Sequence, residues 1–174
     1  MCCYVCLGVL VASLAPHIYI SCCYARSAET NDDYNPEEET AADVIPKSDA
    51  EKAAIRAGLA KNEIFGMCTD DQLDFLVKGF SELGVETGEV VISQGEPGDH
   101  FYVVASGQFV ASLEQKNNAI VAEYGVGDSF GELALLYNSP RAATVTCKEG
   151  GRVWALERKR FRYVMVSSGA QNLT

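Results

Sequence analysis

From Gly88 to Leu156 the chain is a series of short apolar or alternating runs, each closed by glycine or by an Asn or Pro turn. Gly88-Glu-Val-Val-Ile-Ser-Gln94 reads as one strand, and Gly95-Glu-Pro-Gly98-Asp99 as the turn after it, with two glycines available for positive φ. Phe101-Tyr-Val-Val-Ala105 reads as a second strand, ended by Gly107. Further strands are predicted over 108–114 and 119–124, joined by the Lys116-Asn117-Asn118 turn, and then over 143–148 and 152–156. Many short strands with glycine-rich turns predict a mainly β fold, a sandwich or jelly roll.

Helices flank this β region. Ser48-Asp-Ala-Glu51 is a capping box, in which Ser at the N-cap and Glu three residues on satisfy each other's orphan N–H groups. The helix it opens is predicted to run to about Lys61. Thr69-Asp-Asp-Gln72 is a second capping box, followed by Leu73, Leu76, Val77 and Phe80 on one helical face. After the last strand, 158–167 reads as an amphipathic helix with Phe161, Val164 and Met165 on one side.

One helical turn interrupts the strands. Residues Phe130-Gly-Glu-Leu-Ala-Leu-Leu-Tyr-Asn-Ser-Pro-Arg-Ala-Ala-Thr-Val145 allow a turn over 131–136, which Pro140 stops. A helix N-terminus presents free N–H groups and favours negative charge. Arg141 can fold back over that point and grip a phosphate with its planar fork. Glu132 is acceptor-only when ionised and suits a sugar hydroxyl. An anion site, a hydroxyl site and small residues between them describe a pocket for a phosphorylated ribose. The bland alternatives are a surface Arg141 paired with Asp99, a Glu132 compensating a helix end, an ordinary turn glycine at Gly131, and simple packing for Ala134 and Ala142.

The motif Phe-Gly-Glu-Leu-Ala-Leu-x-Tyr-x-x-Pro-Arg-Ala-Ala-Thr-Val resembles the phosphate-binding cassette of cyclic-nucleotide-binding domains. The resemblance is closest to the first such domain of cAMP-dependent protein kinase regulatory subunits. It spans about 45–168 and includes Asn62-x-x-Phe65, Ile92-x-Gln94-Gly95-x-x-Gly98-Asp99-x-Phe101-Tyr102-Val103, and Trp154 followed by Leu156. It implies a β-roll with an N-terminal helical bundle and a closing helix, over 46–170. It also implies that Arg141 anchors the phosphate, Glu132 accepts from the ribose 2′-hydroxyl and Gly131 faces the ribose. Leu133, Ala134, Ala142 and Ala143 complete the ligand-binding set, with Ala134 and Ala142 offering backbone N–H groups. Ala142 directly after Arg141 resembles the cAMP type, whereas cGMP-dependent kinases usually carry Thr there. The implied function is a cAMP-binding, non-enzymatic module that controls a protein kinase catalytic subunit in the cytoplasm, with no cofactor beyond the ligand. A cGMP-binding fragment of a kinase or channel, or a stand-alone sensor, is the alternative. By the same resemblance Leu133 and Leu136 are expected to link the cassette to the helices. The family continues into a long helix and usually a second domain, so the base-capping residue is expected to be missing here. No Arg-Arg-x-Ser or Arg-Arg-x-Ala inhibitory segment or dimerisation bundle is readable upstream.

Gly125-Val-Gly127-Asp-Ser-Phe-Gly131 mimics a dinucleotide fingerprint, but that motif needs a long crossover helix, which Pro140 forbids. His17 and His100 do not cluster with carboxylates or cysteines, and no catalytic triad or paired-acid site is readable. The net charge of −10 without a basic stripe argues against nucleic acid as partner. Residues 27–51 carry nine Asp or Glu against Lys47 alone, so 27–45 reads as an acidic, solvated linker. Five of the seven cysteines fall within the first 23 residues, which is no disulfide framework. Residues 1–26 are apolar and Cys-rich, and the reading stays open between a membrane span, a signal, an acyl anchor and no native element.

Overall fold

The computed structural model describes residues 45–171 except 117, 137 and 138, so the expectations for 1–26 and most of the acidic linker lie outside the described residues. Among the described residues no helix is long and apolar enough to cross a membrane.

The first two helices begin where their caps predict. Helix α1 is Asp49–Ala60, and Ser48 Oγ accepts from the Glu51 N–H at 3.3 Å while Glu51 Oε2 accepts from the Ser48 N–H at 2.7 Å. A 3-10 turn, Glu63–Met67, leads to helix α2, Asp70–Lys78, where Thr69 and Gln72 exchange the same pair of bonds. Ser48→Ala removes one side of the first box and is expected to cost about 1 kcal/mol. Thermal unfolding should register this as a midpoint lowered by roughly 4 °C.

Six strands follow: β1 Ser81–Val85, β2 Val90–Ile92, β3 His100–Leu113, β4 Ala119–Tyr124, β5 Ser129–Phe130 and β6 Thr144–Glu157. Helix α3, Leu133–Leu136, sits between β5 and β6, and helix α4, Arg158–Gln171, closes the chain. The sheet is antiparallel, in the order β1-β6-β3-β4, with β2 on β6 and β5 on β3. Mainly β with flanking helices is the class expected. The strand count differs in a specific way.

The runs 101–105 and 108–114 are one strand, and so are 143–148 and 152–156. Glycine bends these strands rather than ending them. Gly107 takes φ 87, and the β3–β6 register shifts at Val104/Ser106, Ser106/Gln108 and Gln108/Phe109. A Cβ on Gly151 would lie 2.0 Å from Ser106 O, so the two backbones touch at the bend. The extra residue at each shift increases local twist and lets the long ribbon curl. Strand β1 is absent from the sequence reading. Only Val85 in it is buried, so it lacks an alternating signature and exists through its pairing with 151–155 of β6.

Period two sorts the core into two clusters. Phe101, Val103, Trp154 and Leu156 face the helices, where they meet Ile55, Leu59, Leu76, Val77, Phe161 and Val164. Tyr102, Val104, Val153 and Ala155 face the interior of the roll with Phe109, Phe130 and Val145. Both faces of this stretch of β3 are covered, which explains its unbroken apolar run. Helix α4 is pinned by the buried Arg160, whose guanidinium donates to the Phe75 carbonyl through Nε at 3.2 Å and Nη2 at 3.0 Å. That guanidinium also lies 4.3 Å over the Phe75 ring and fills the space left by the missing side chain of Gly79.

Candidate functional site

The segment expected to form the pocket lines a cavity of about 100 Å³, open to solvent at its mouth. Gly131, Glu132, Leu133, Arg141, Ala142 and Ala143 all line it. Ala134 lies in α3, between Leu133 and Leu135, and its side chain lies outside the described residues. The sequence reading missed the far walls, Ile92, Ala111, Tyr124 and Val145. These come from four different strands, and their shared direction follows from strand register, which no local signal carries.

Arg141 is held from its backbone outward. Its N–H donates to Glu96 O at 2.8 Å, and its carbonyl accepts from the Gly95 N–H at 2.9 Å. Gly95 makes this turn at φ 87. Pro97 and Pro140 form an isolated bridge beside it, and the Gln94 N–H donates to Thr144 Oγ1 at 3.0 Å. The turn after β2 is thereby zipped to the turn before β6, with Arg141 at the join.

The Arg141 side chain runs inward. Nη2 donates to the His100 carbonyl at 2.9 Å, and Cζ lies 6.0 Å from the centre of the Tyr102 ring. Nη1 is buried and has no hydrogen-bond partner among the described residues. Asp99, the carboxylate that would have made Arg141 a plain surface ion pair, instead binds His100 Nδ1 at 2.7 Å. Burial lowers the Arg141 pKa from its ordinary value, while Tyr102 and Asp99 act against that shift. A half-buried cation with an unused N–H is unfavourable until an anion reaches it.

Gly131 makes room for this group. It takes φ 84, and a Cβ there would lie 3.0 Å from Arg141 Nη1 and 3.3 Å from His100 O. Glycine is required both for the backbone conformation and for the approach of the guanidinium. Glu132 follows, half-buried at the cavity wall, with its carbonyl accepting from the Leu135 N–H at 3.0 Å. Helix α3 has only four residues, too few for a substantial macrodipole. Any anion preference there comes from individual N–H groups and Arg141.

Leu135, rather than Leu133, is seen against the helices. Leu133 is 44% exposed at the cavity mouth, whereas Leu135 is 1% exposed and packs in one cluster with Phe65, Phe101, Phe161 and Val164. The Leu136 side chain lies outside the described residues.

The dinucleotide-like glycines form turns, as their context predicts. Asp128 Oδ2 accepts from the Gly125 N–H at 3.0 Å, and β5 follows directly. His100 opens β3. Among the described residues no group of three His, Cys, Asp or Glu could hold a metal ion. The free thiols Cys68 and Cys147 stand apart from the cavity, and burial pushes Cys68 up to about 11, far from a reactive thiolate.

Residues 82–168, half of the chain, match the family described as cyclic nucleotide-binding domain. The cAMP-dependent protein kinase regulatory subunit of Blastocladiella emersonii is 44% identical over 125 residues, covering 71% of this chain and 31% of that protein. The type II regulatory subunit of Drosophila melanogaster is 34% identical over 139 residues, covering 78% of this chain and 36% of that protein. The chain therefore spans about a third of the length of these curated relatives. Among solved structures, the regulatory domain of Toxoplasma gondii PKA with cAMP superposes with a TM-score of 0.64 at 32% identity, over 68% of this chain and 46% of that one.

Proposed function

The chain belongs to the cyclic nucleotide-binding domain family, and on that premise we propose that it binds cAMP in the cavity around Arg141 and acts as a regulatory module, not an enzyme. The observation that carries this reading is the buried, unpartnered Nη1 of Arg141, a residue that lines the same cavity as Glu132. The cyclic phosphate takes the guanidinium, and a charge-assisted bond replaces an unsatisfied donor. The 2′-hydroxyl donates to Glu132. Gly131 and Ala142 keep the approach uncrowded, Leu133 and Ala143 flank the ligand, and Ala134 contributes through its backbone.

Binding at the cassette reaches the helices through Leu135. Helix α3 stands between the cavity and α4, so a shift of α3 on binding repacks Leu135 against Phe161 and Val164. Ligand selects one arrangement of α3 and α4 and so alters the surface offered to a protein kinase catalytic subunit in the cytoplasm. The named relatives, which are regulatory subunits of that kinase, support this partner.

Calorimetric titration of the full chain with cAMP and cGMP tests the ligand. Saturable binding with cAMP the tighter of the two is expected. Absence of binding of either nucleotide at millimolar concentration would overturn the reading. Capture of a kinase catalytic subunit, lost on adding cAMP, is the corresponding result for the partner.

A further inference from the structure

A groove of about 450 Å³ lies on the helical side of the domain, between the start of α1 and the end of α2, and shares no lining residue with the cassette cavity. Its walls are Ile45, Pro46 and Val77, and three lysines, Lys47, Lys52 and Lys78, stand around them. The one acid in the lining, Asp74, is already taken by Arg56 of α1. Lys47 is only 9% exposed and donates to two carbonyls, Ile45 O at 3.1 Å and Lys78 O at 3.0 Å. Lys52 and Lys78 are exposed. Lys52 meets only Asp49, 3.1 Å away on the same helix, and Lys78 has no ion pair among the described residues. The groove is therefore a basic, partly apolar depression on a chain whose net charge is −10. We propose that the acidic stretch 37–44 of this chain is its occupant, folding back from Ile45 so that its carboxylates meet Lys52 and Lys78.

Position and charge both support this occupant. Ile45 is the first described residue and is itself part of the wall, so the chain arrives at the groove from residue 44. The preceding stretch, Glu37-Glu-Glu-Thr-Ala-Ala-Asp-Val44, holds Glu37, Glu38, Glu39 and Asp43 and no base. Ala41, Ala42 and Val44 in the same stretch suit the Ile45, Pro46 and Val77 walls. Extended chain spans about 3.3–3.6 Å per residue, so the three glutamates can reach back over roughly 20 Å. A single exposed ion pair contributes little. Tethering changes that balance, because a short linker gives the segment an effective concentration in the millimolar range at its own groove. An untethered acidic partner has no such advantage. The docked stretch bridges α1 and α2 and neutralises the basic surface between them, with or without nucleotide in the cassette cavity.

The contact is tested on the full chain with a zero-length carbodiimide crosslinker, which joins only a carboxylate and an amine that touch, followed by peptide mapping. The Lys148–Glu123 pair, 3.6 Å apart on β6 and β4, serves as the internal positive control. Links from Glu37, Glu38, Glu39 or Asp43 to Lys52 or Lys78 are expected at monomer mass. Amine acylation gives a second reading. Lys52 and Lys78 should react roughly 3- to 10-fold faster in a variant carrying Glu37→Gln, Glu38→Gln, Glu39→Gln and Asp43→Asn than in the parent, while Lys148 is unchanged. The same gain is expected in the parent at high salt, which screens the pairs without any substitution. Absence of these links beside the control link, or equal acylation of Lys52 and Lys78 in parent and variant, overturns the proposal. Links found only in covalent dimers assign the groove to a second copy of the chain and overturn it as well.

Discussion

Arg141→Ala is expected to weaken cAMP binding by about 100- to 1000-fold while the domain stays folded. Truncating one partner of a buried, hydrogen-bonded charge pair costs about 2–5 kcal/mol, and each 1.4 kcal/mol is tenfold in affinity. Little of the domain's stability depends on this side chain. Its one hydrogen bond among the described residues goes to the His100 carbonyl at 2.9 Å, and Nη1 has no partner among them. The backbone bonds to Gly95 and Glu96, which fix the turn, do not involve the side chain. The thermal midpoint should therefore move little, and affinity should move greatly. Arg141→Lys keeps the charge but not the planar fork, so it should recover only part of the loss. Calorimetry on the three proteins reads all of this, and an alanine variant binding within threefold of the parent would remove Arg141 from the site.

The largest effect on stability is expected at Gly151. A Cβ there would lie 2.0 Å from Ser106 O, 2.5 Å from Ser106 C and 2.7 Å from Gly107 Cα, all of them backbone atoms. No rotamer can relieve such contacts. The strands would have to part where β3 and β6 bend together, and those strands carry both core clusters. Gly151→Ala should cost about 3 kcal/mol or more, at the upper end of what overpacking does. Gly150→Ala is the control. Its Cβ would meet nothing nearer than Thr87 Oγ1 at 3.4 Å, so its cost should be under about 1 kcal/mol. Urea unfolding of the two variants measures the contrast, and equal midpoints would mean that the bend is not the tight point described.

The capping boxes were legible because their bonds close within three residues, and Ser48 with Glu51 and Thr69 with Gln72 pair in space as they do in sequence. The cassette was legible for a similar reason: Gly131, Glu132 and Arg141 lie on one short excursion between strands, so few folds could separate them. Strand β1 was not legible. Its sequence, Ser-Glu-Leu-Gly-Val, buries only Val85, and its partners lie some 70 positions away on β6. The bends at Gly107 and Gly151 were read as breaks because a glycine has the same local signature whether it ends a strand or lets two strands approach.

The sequence by itself determined where helices start, that the middle of the chain is mainly β structure, and which segment brings a cation, an acceptor and small residues to one pocket. Those properties come from interactions between near neighbours, through backbone geometry, capping and a single contiguous motif. Only the tertiary structure decided that Arg141 spends one nitrogen on the His100 carbonyl and keeps Nη1 unpaired, that Leu135 rather than Leu133 reaches the helices, and that Tyr124 shares a wall with Glu132. Each depends on contacts between segments distant in sequence, and for Tyr124 on β4 a one-residue slip would turn the side chain to the opposite face.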